Sequence, residues 1–434
     1  MTDIPFVDHW YNVVPDLPGR PPEPRNSEGG DELRLIAQIT PKGLSYLGLS
    51  RRRHHAIPDE VRQRYTDFGR PTPLTNAARL AAYLETPARI YFKREDVIPS
   101  GSFKINTALA QAWAARQEGY DGLVTETGAG QWGLALSVAS AVFGLRCRVY
   151  MARCSYGQKS TRRQLMELHG ADVIASPSQT TEVGRRLGAG EPDPPGSIGT
   201  AISEAVEFAR DHPSFAYAAG SNVSYVYVHQ SVIGIETARQ LRALGEAPDV
   251  AVTCVGGGSN FAGFVLPLVY GDDAFEPRPV MFACESRTIP RLTEGQYRYD
   301  HADPGGLTPL VKSYSLGQSF QPPATHVGGL RQHNGSPIIG LIHSQGLIRA
   351  RAYSEEEVFE AGRLLARLEG IFPAPESCHC VCGVIDAARE AAERREACVI
   401  VGCISGAGAL DMAGYQAHPG RRDGLVQSSN GVLV

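Results

Sequence analysis

No run of about 18 consecutive apolar residues occurs in this chain of 434 residues, so no membrane-spanning helix is expected. A surplus of one charge is also lacking. With a net charge of −4 and acids and bases interspersed, the chain has neither the basic footprint of a nucleic-acid binder nor a patch for an anionic membrane. The opening Met1-Thr2-Asp3-Ile4-Pro5 has no basic segment leading into an apolar one, which argues against secretion and for a cytoplasmic protein. The nine cysteines are an odd number, and Cys147, Cys254, Cys284, Cys398 and Cys403 fall inside strand-like or helix-like runs, as buried free thiols do. In Cys378-His379-Cys380-Val381-Cys382 the alternate spacing suits zinc poorly and no second ligand pair follows, so no metal is assigned. The triple-glycine run Gly256-Gly257-Gly258 lacks two familiar phosphate signatures: it does not continue into Gly-Lys-Ser/Thr, and it does not complete G-x-G-x-x-G.

The chain is long enough for two domains with ample core. Residues 1–68 are rich in Pro and Arg and read as irregular chain packed on a core. From Gly69 onward strands alternate with helices, which predicts an α/β protein of two domains, 69–224 and 225–434, each with a mostly parallel sheet. Residues 176–198, rich in Gly, Pro and Thr, read as a mobile connection. Ligands of such folds gather at the carboxyl ends of strands, and the polar turns of this chain lie there, facing one cleft between the domains.

Four turns carry the chemistry. In Pro99-Ser100-Gly101-Ser102-Phe103-Lys104-Ile105-Asn106 a lysine enters the first turn of a helix after the strand Arg89 to Lys93. The positive end of the helix dipole favours its neutral amine, which can form a Schiff base. The turn Thr127-Gly128-Ala129-Gly130-Gln131, between the strand ending at Glu126 and an apolar helix, offers backbone N–H groups around one anion of carboxylate size. Gly256-Gly257-Gly258-Ser259-Asn260 repeats that arrangement as a phosphate cradle. The last strand ends in Ser405-Gly406-Ala407-Gly408. A lysine for an aldehyde, a cradle for a phosphate and a turn for an amino-acid carboxylate describe a site for pyridoxal phosphate.

Lys93-Arg94-Glu95-Asp96, Gly101 to Asn106, Glu126 to Gly133, Val255 to Asn260, Pro375-Glu376-Ser377 and Ser405-Gly406 together resemble the β-chain of tryptophan synthase, a fold-type II pyridoxal phosphate enzyme. Phe103, Trp132 and Gly328-Gly329-Leu330-Arg331 are similar to the second, divergent β-chain subgroup, which points to a homodimer without an α-chain. The resemblance implies two three-layer α/β domains with the active site between them, pyridoxal 5'-phosphate as cofactor and room for a monovalent cation. It implies that Lys104 forms the Schiff base and moves the α-proton, and that Glu126 serves the leaving group and the incoming nucleophile. Gly256, Gly257, Gly258, Ser259, Asn260 and Ser221 would hold the phosphate. Thr127, Gly128, Ala129, Gly130 and Gln131 would hold the carboxylate, with Gln131 also near the cofactor ring, and Ser405 would meet the pyridine nitrogen. A neutral hydroxyl there favours β-elimination over transamination. The implied reaction is β-replacement on L-serine or O-phospho-L-serine through an aminoacrylate, with indole as acceptor. Arg331 stands where α-partnered chains carry an aspartate, which suits a phosphorylated leaving group. A β-substitution using another nucleophile or donor, or a serine/threonine dehydratase, is the alternative.

Overall fold

The computed structural model describes residues 6–419. The Met1 to Pro5 segment read above for a targeting signal lies outside them. Two sheets organise the chain. The larger has six strands in the order Ile348–Tyr353, Val280–Ser286, Val250–Cys254, Val399–Ile404, Arg89–Arg94 and Leu74–Asn76, all parallel except the last pair. The smaller is wholly parallel, in the order Ala171–Ser176, Arg146–Ala152, Gly122–Thr127 and Phe215–Tyr217. Helices cover both, which is why the central strand Val399–Ile404 is apolar along its length and buried at every residue. Local chemistry bounds the helices: Ser354 and Glu357 form a capping box for Glu355–Glu369, and Gly370 ends it at a φ of 67°.

The alternation read from the sequence holds, with three differences. Strand Arg89–Arg94, placed by chain order in the 69–224 unit, pairs with Val399–Ile404 in the larger sheet, so a long-range pairing overrides the linear boundary. The segment up to Phe68 is not irregular throughout: helices Glu32–Ile39, Lys42–Leu49 and Asp59–Asp67 and a ribbon of His9–Tyr11 with His54–Ala56 pack on the core, burying Trp10, Leu44, Val61 and Tyr65. Their apolar faces are short and interrupted by charge, which hides the helical period. Residues 176–198 hold a helix, Glu182–Leu187, capped by the Thr181 side chain.

The turn that carries Lys104 is fixed by buried charge. The Arg70 guanidinium donates to Glu95 (2.9 Å), to Glu236 (2.8 Å) and to the Asn106 side-chain oxygen (2.9 Å). Lys93 Nζ donates to the same Glu236 carboxylate at 2.7 Å. All four charged groups are buried, and their charges sum to zero. Removing Glu236 leaves Arg70 with Glu95 but Lys93 without its carboxylate, one uncompensated positive charge inside the protein. Glu236→Ala is therefore expected to cost about 3–5 kcal/mol, read as a fall of several degrees in the thermal unfolding midpoint. Glu60→Ala, which breaks an ion pair with the half-exposed Arg116, should change it little.

Candidate active site

A cavity opens between the carboxyl ends of the two sheets. Its walls include Lys104, Glu126, Thr127, Gly128, Ala129, Gln131, Ser221, Gly256, Gly257, Gly258, Ser259, Asn260 and Ser405, which chain order scatters over some three hundred positions.

Lys104 is the N-cap residue of helix Ile105–Gln117, just ahead of the first turn in which the motif places it, and its side chain is half-buried at the cavity. Burial brings its pKa down to about 8, against the opposing pull of Glu376, Glu126 and Cys254. Desolvation thus leads where the sequence suggested the helix dipole. The turn is held from the larger sheet, since Phe103 N donates to Ser405 O (3.0 Å) and Ala407 N to Gly101 O (2.9 Å).

Glu126 lies in the buried strand Gly122–Thr127, and burial pushes its carboxyl up to about 7. The Tyr217 hydroxyl donates to its Oε2 at 2.9 Å and pulls the other way. Gly130, not Glu126, is the N-cap of the following helix, so Glu126 does not serve as a cap.

The two glycine turns differ in support. Gly258 enters helix Ser259–Tyr270 at a φ of 109°, a conformation suited to glycine. A Cβ on Gly257 would collide with Ser221 Oγ, Asn222 Oδ1 and Gln332 Oε1, so bare backbone is what leaves space at this helix N-terminus. The Gln332 amide oxygen is buried there with no partner, and turning that amide over would present a donor instead. The residues therefore fit a phosphate monoester. In the Thr127 to Gln131 turn, Thr127 Oγ1 accepts from the N–H groups of Gly130 (3.1 Å) and Gly133 (3.3 Å). Beneath it the buried Arg162 donates to Ala129 O (3.0 Å) and to Asp411, to which Lys159 also binds. Ser405 Oγ lies 2.8 Å from Ser377 Oγ, a neutral pair at the end of the last strand.

Two predicted residues do not reach the cavity. Gly130 shapes the turn from behind, where a Cβ would meet Arg162 and Met151. Arg331 is buried, but its guanidinium donates to Ser155 Oγ (2.6 Å), Cys154 Sγ (3.3 Å) and Pro323 O (3.4 Å), although its neighbours Leu330 and Gln332 line the wall. The sequence reading assigned no role to Glu376, which heads the helix Pro375–Arg394 within a quoted motif. It receives Gly329 N at 2.8 Å and Gln131 Nε2 at 3.4 Å, and its charge is the leading opposition to the neutral form of Lys104. Cys254 and Gln332 were also passed over, Cys254 because it read as an ordinary strand residue.

Comparison with known proteins agrees with the geometry. The family model described as "Pyridoxal-phosphate dependent enzyme" matches residues 65–406. A protein named tryptophan synthase beta chain 2 from Methanothermobacter thermautotrophicus is 48% identical over 94% of this chain and 95% of its own length. Its namesake from Thermotoga maritima is 47% identical, covering 94% and 96%. Among solved structures, a threonine deaminase from T.th. superposes with a TM-score of 0.60 at 20% identity, covering 80% of this chain and 96% of that one. Serine racemase from Dictyostelium discoideum gives 0.58 at 19%, covering 86% and 99%. These two share the fold.

A lysine with a pKa of about 8 is far more reactive at that pH than an exposed one. Borohydride trapping with an aromatic aldehyde at pH 8 is expected to modify the Lys104 peptide before those of Lys42 and Lys312, as read by peptide mass spectrometry. Equal labelling of the three would contradict the lowered pKa.

Proposed function

The chain belongs to the pyridoxal-phosphate dependent enzymes and, within them, to the tryptophan synthase β chains, and from that membership we infer a β-replacement in this cavity. Serine loses its hydroxyl and indole takes its place at the β-carbon, giving tryptophan. The observation that carries the reading is the meeting of Lys104 and Glu126 in one cavity with a phosphate cradle and a carboxylate turn.

When bound, pyridoxal phosphate supplies an electrophilic aldehyde and a conjugated ring that draws electrons from the amino acid's α-carbon. The residues of the chain do the rest. Gly256, Gly257, Gly258 and Ser259 would hold the phosphate at the helix N-terminus, with Asn260 and Ser221 beside them. The N–H groups of the Thr127 to Gln131 turn hold the substrate carboxylate, and Arg162 stiffens that turn through Ala129 O. Gly130 contributes by conformation alone. Lys104, neutral for part of the time near pH 8, takes the proton from the α-carbon. Glu126, carrying a proton near pH 7, gives it to the departing hydroxyl and later accepts the proton that indole releases. Ser405 would offer the pyridine nitrogen a neutral hydroxyl, which would disfavour protonation of the ring and with it transamination.

The donor reading turns on Arg331. Its guanidinium is committed to Ser155, Cys154 and Pro323, so among the described residues the cavity brings no arginine to a β-phosphate, and this favours serine over O-phospho-L-serine. We further propose that the enzyme works as a cytoplasmic homodimer without an α-chain. No helix of the described residues is long and apolar enough to cross a membrane.

Absorbance spectra of the purified chain with pyridoxal phosphate, followed on adding L-serine or O-phospho-L-serine, with and without indole, test the whole scheme. Tryptophan should appear with serine and indole, and Lys104→Ala should abolish it. Keto-acid release that ignores indole would make the chain a dehydratase, and faster turnover of O-phospho-L-serine would return Arg331 to the site. A second test isolates Glu126. The Tyr217 hydrogen bond lowers its pKa, so Tyr217→Phe should raise it, moving the corresponding limb of the pH–rate profile to higher pH. An unmoved limb would take the proton role from Glu126.

A further inference from the structure

The ribbon of His9–Tyr11 and His54–Ala56 meets the loop that follows helix Ser259–Tyr270 through Asp272. Tyr11 pairs with His54, so His9 and His54 project diagonally from one face of the ribbon, their rings 4.9 Å apart. Asp272 faces both: its Oδ2 lies 2.7 Å from His54 Nε2 and 3.8 Å from His9 Nε2. One ligand atom from each of the three residues falls within 4.8 Å of the others.

The surroundings orient these atoms. Asp8 Oδ1 accepts from His9 Nδ1 at 2.7 Å, which leaves the lone pair of that imidazole on Nε2, the nitrogen turned toward Asp272. Arg53 Nη1 holds the other Asp272 oxygen, Oδ1, at 2.9 Å and leaves Oδ2 for a further partner. Arg53 is itself fixed by Asp16 (2.7 Å) and by Tyr270 O (3.0 Å). Asp8 and Asp16 offset its positive charge, so the position between the imidazoles is not dominated by a cation.

We propose that His9, His54 and Asp272 bind one zinc-class divalent cation, with water in the fourth position. Two imidazole nitrogens and a carboxylate oxygen are the borderline ligand set that zinc takes in tetrahedral geometry. Bonds of about 2.0–2.1 Å place tetrahedral ligands roughly 3.3 Å apart, and the observed separations of 2.7 and 3.8 Å straddle that spacing. Binding displaces the proton that His54 Nε2 shares with Asp272: in a neutral ring it moves to Nδ1, and from a cationic ring it leaves to solvent, so that a neutral imidazole ligates the ion. The ion ties the N-terminal ribbon to the far end of the helix whose first turn forms the phosphate cradle. The three ligands lie 45 and 218 positions apart in sequence, so no spacing motif announces them.

Calorimetric titration of zinc chloride into the full-length, cofactor-loaded chain, freed of metal by chelator and of unbound cofactor, tests this. One ion per chain is expected, bound at least about tenfold more weakly by His54→Gln and by Asp272→Asn, with Asp8→Asn also weakened through His9. Cobalt in place of zinc should give visible d–d bands without thiolate charge transfer. Zinc should raise the unfolding midpoint of the parent chain and not of His54→Gln. Affinity equal in parent and variants, thiolate charge transfer, or no binding tighter than about 1 mM overturns the proposal.

Discussion

The salt bridge between Arg70 and its two carboxylates, Glu95 and Glu236, is the constraint on which the catalytic geometry depends. Four buried charges are costly to desolvate, and they are tolerable only because each finds an oppositely charged partner at hydrogen-bond distance. Such a cluster has few acceptable arrangements. Arg70 also binds the side chain of Asn106, two residues beyond Lys104, while Lys93 enters from the strand Arg89–Arg94 and Glu236 from the helix Val232–Ala243. The lysine turn is thereby keyed to both its strand and a helix distant in sequence.

A second tie crosses the cavity from the C-terminal side. Residues 405–407 run beside the lysine turn through the bonds from Phe103 N to Ser405 O and from Ala407 N to Gly101 O. Four positions later Asp411 takes both Lys159 and Arg162, and Arg162 supports Ala129 in the carboxylate turn. One short segment thus links the turn that carries Lys104, the Ser405 hydroxyl and the turn Thr127 to Gln131, to which the proposed function assigns the aldehyde, the ring nitrogen and the substrate carboxylate. Pre-organisation of this kind lets a reaction proceed without ordering its walls at each turnover.

Much of this was legible in the sequence because it is local. Strand, glycine turn and helix are adjacent in the chain, so the turns at Thr127 to Gln131 and at Gly256 to Asn260 declare themselves by composition, as does Lys104 ahead of its helix. What depends on distant contacts was not legible. The sheet to which Arg89–Arg94 belongs is decided by pairing with Val399–Ile404, some three hundred positions later. Arg331 stands beside wall residues, yet the direction of its guanidinium is set by Ser155 and Cys154 across the structure. Glu376 lay in a recognised motif, but only the folded chain shows a carboxylate acting on Lys104. The N-terminal helices were missed for the opposite reason: their pattern is local but too short and too charged to show a period.

Burial acts in opposite directions on Lys104 and Glu126, the two groups to which the proposed function gives the protons. An amine loses stability as a cation when desolvated and a carboxyl loses stability as an anion, so burial at one cavity lowers Lys104 to about 8 and raises Glu126 to about 7. In water the two groups differ by roughly six units, which amounts to about 8 kcal/mol for moving a proton between them. In the cavity they differ by about one unit, or about 1.4 kcal/mol. Glu376 and Glu126 keep the lysine from falling further, and Tyr217 keeps the glutamate from rising further. The pair is thereby held where each group is available in both protonation states near neutral pH. A reaction that removes a proton at one carbon, protonates a leaving group and then takes a proton from a nucleophile needs both states of both groups within one turnover.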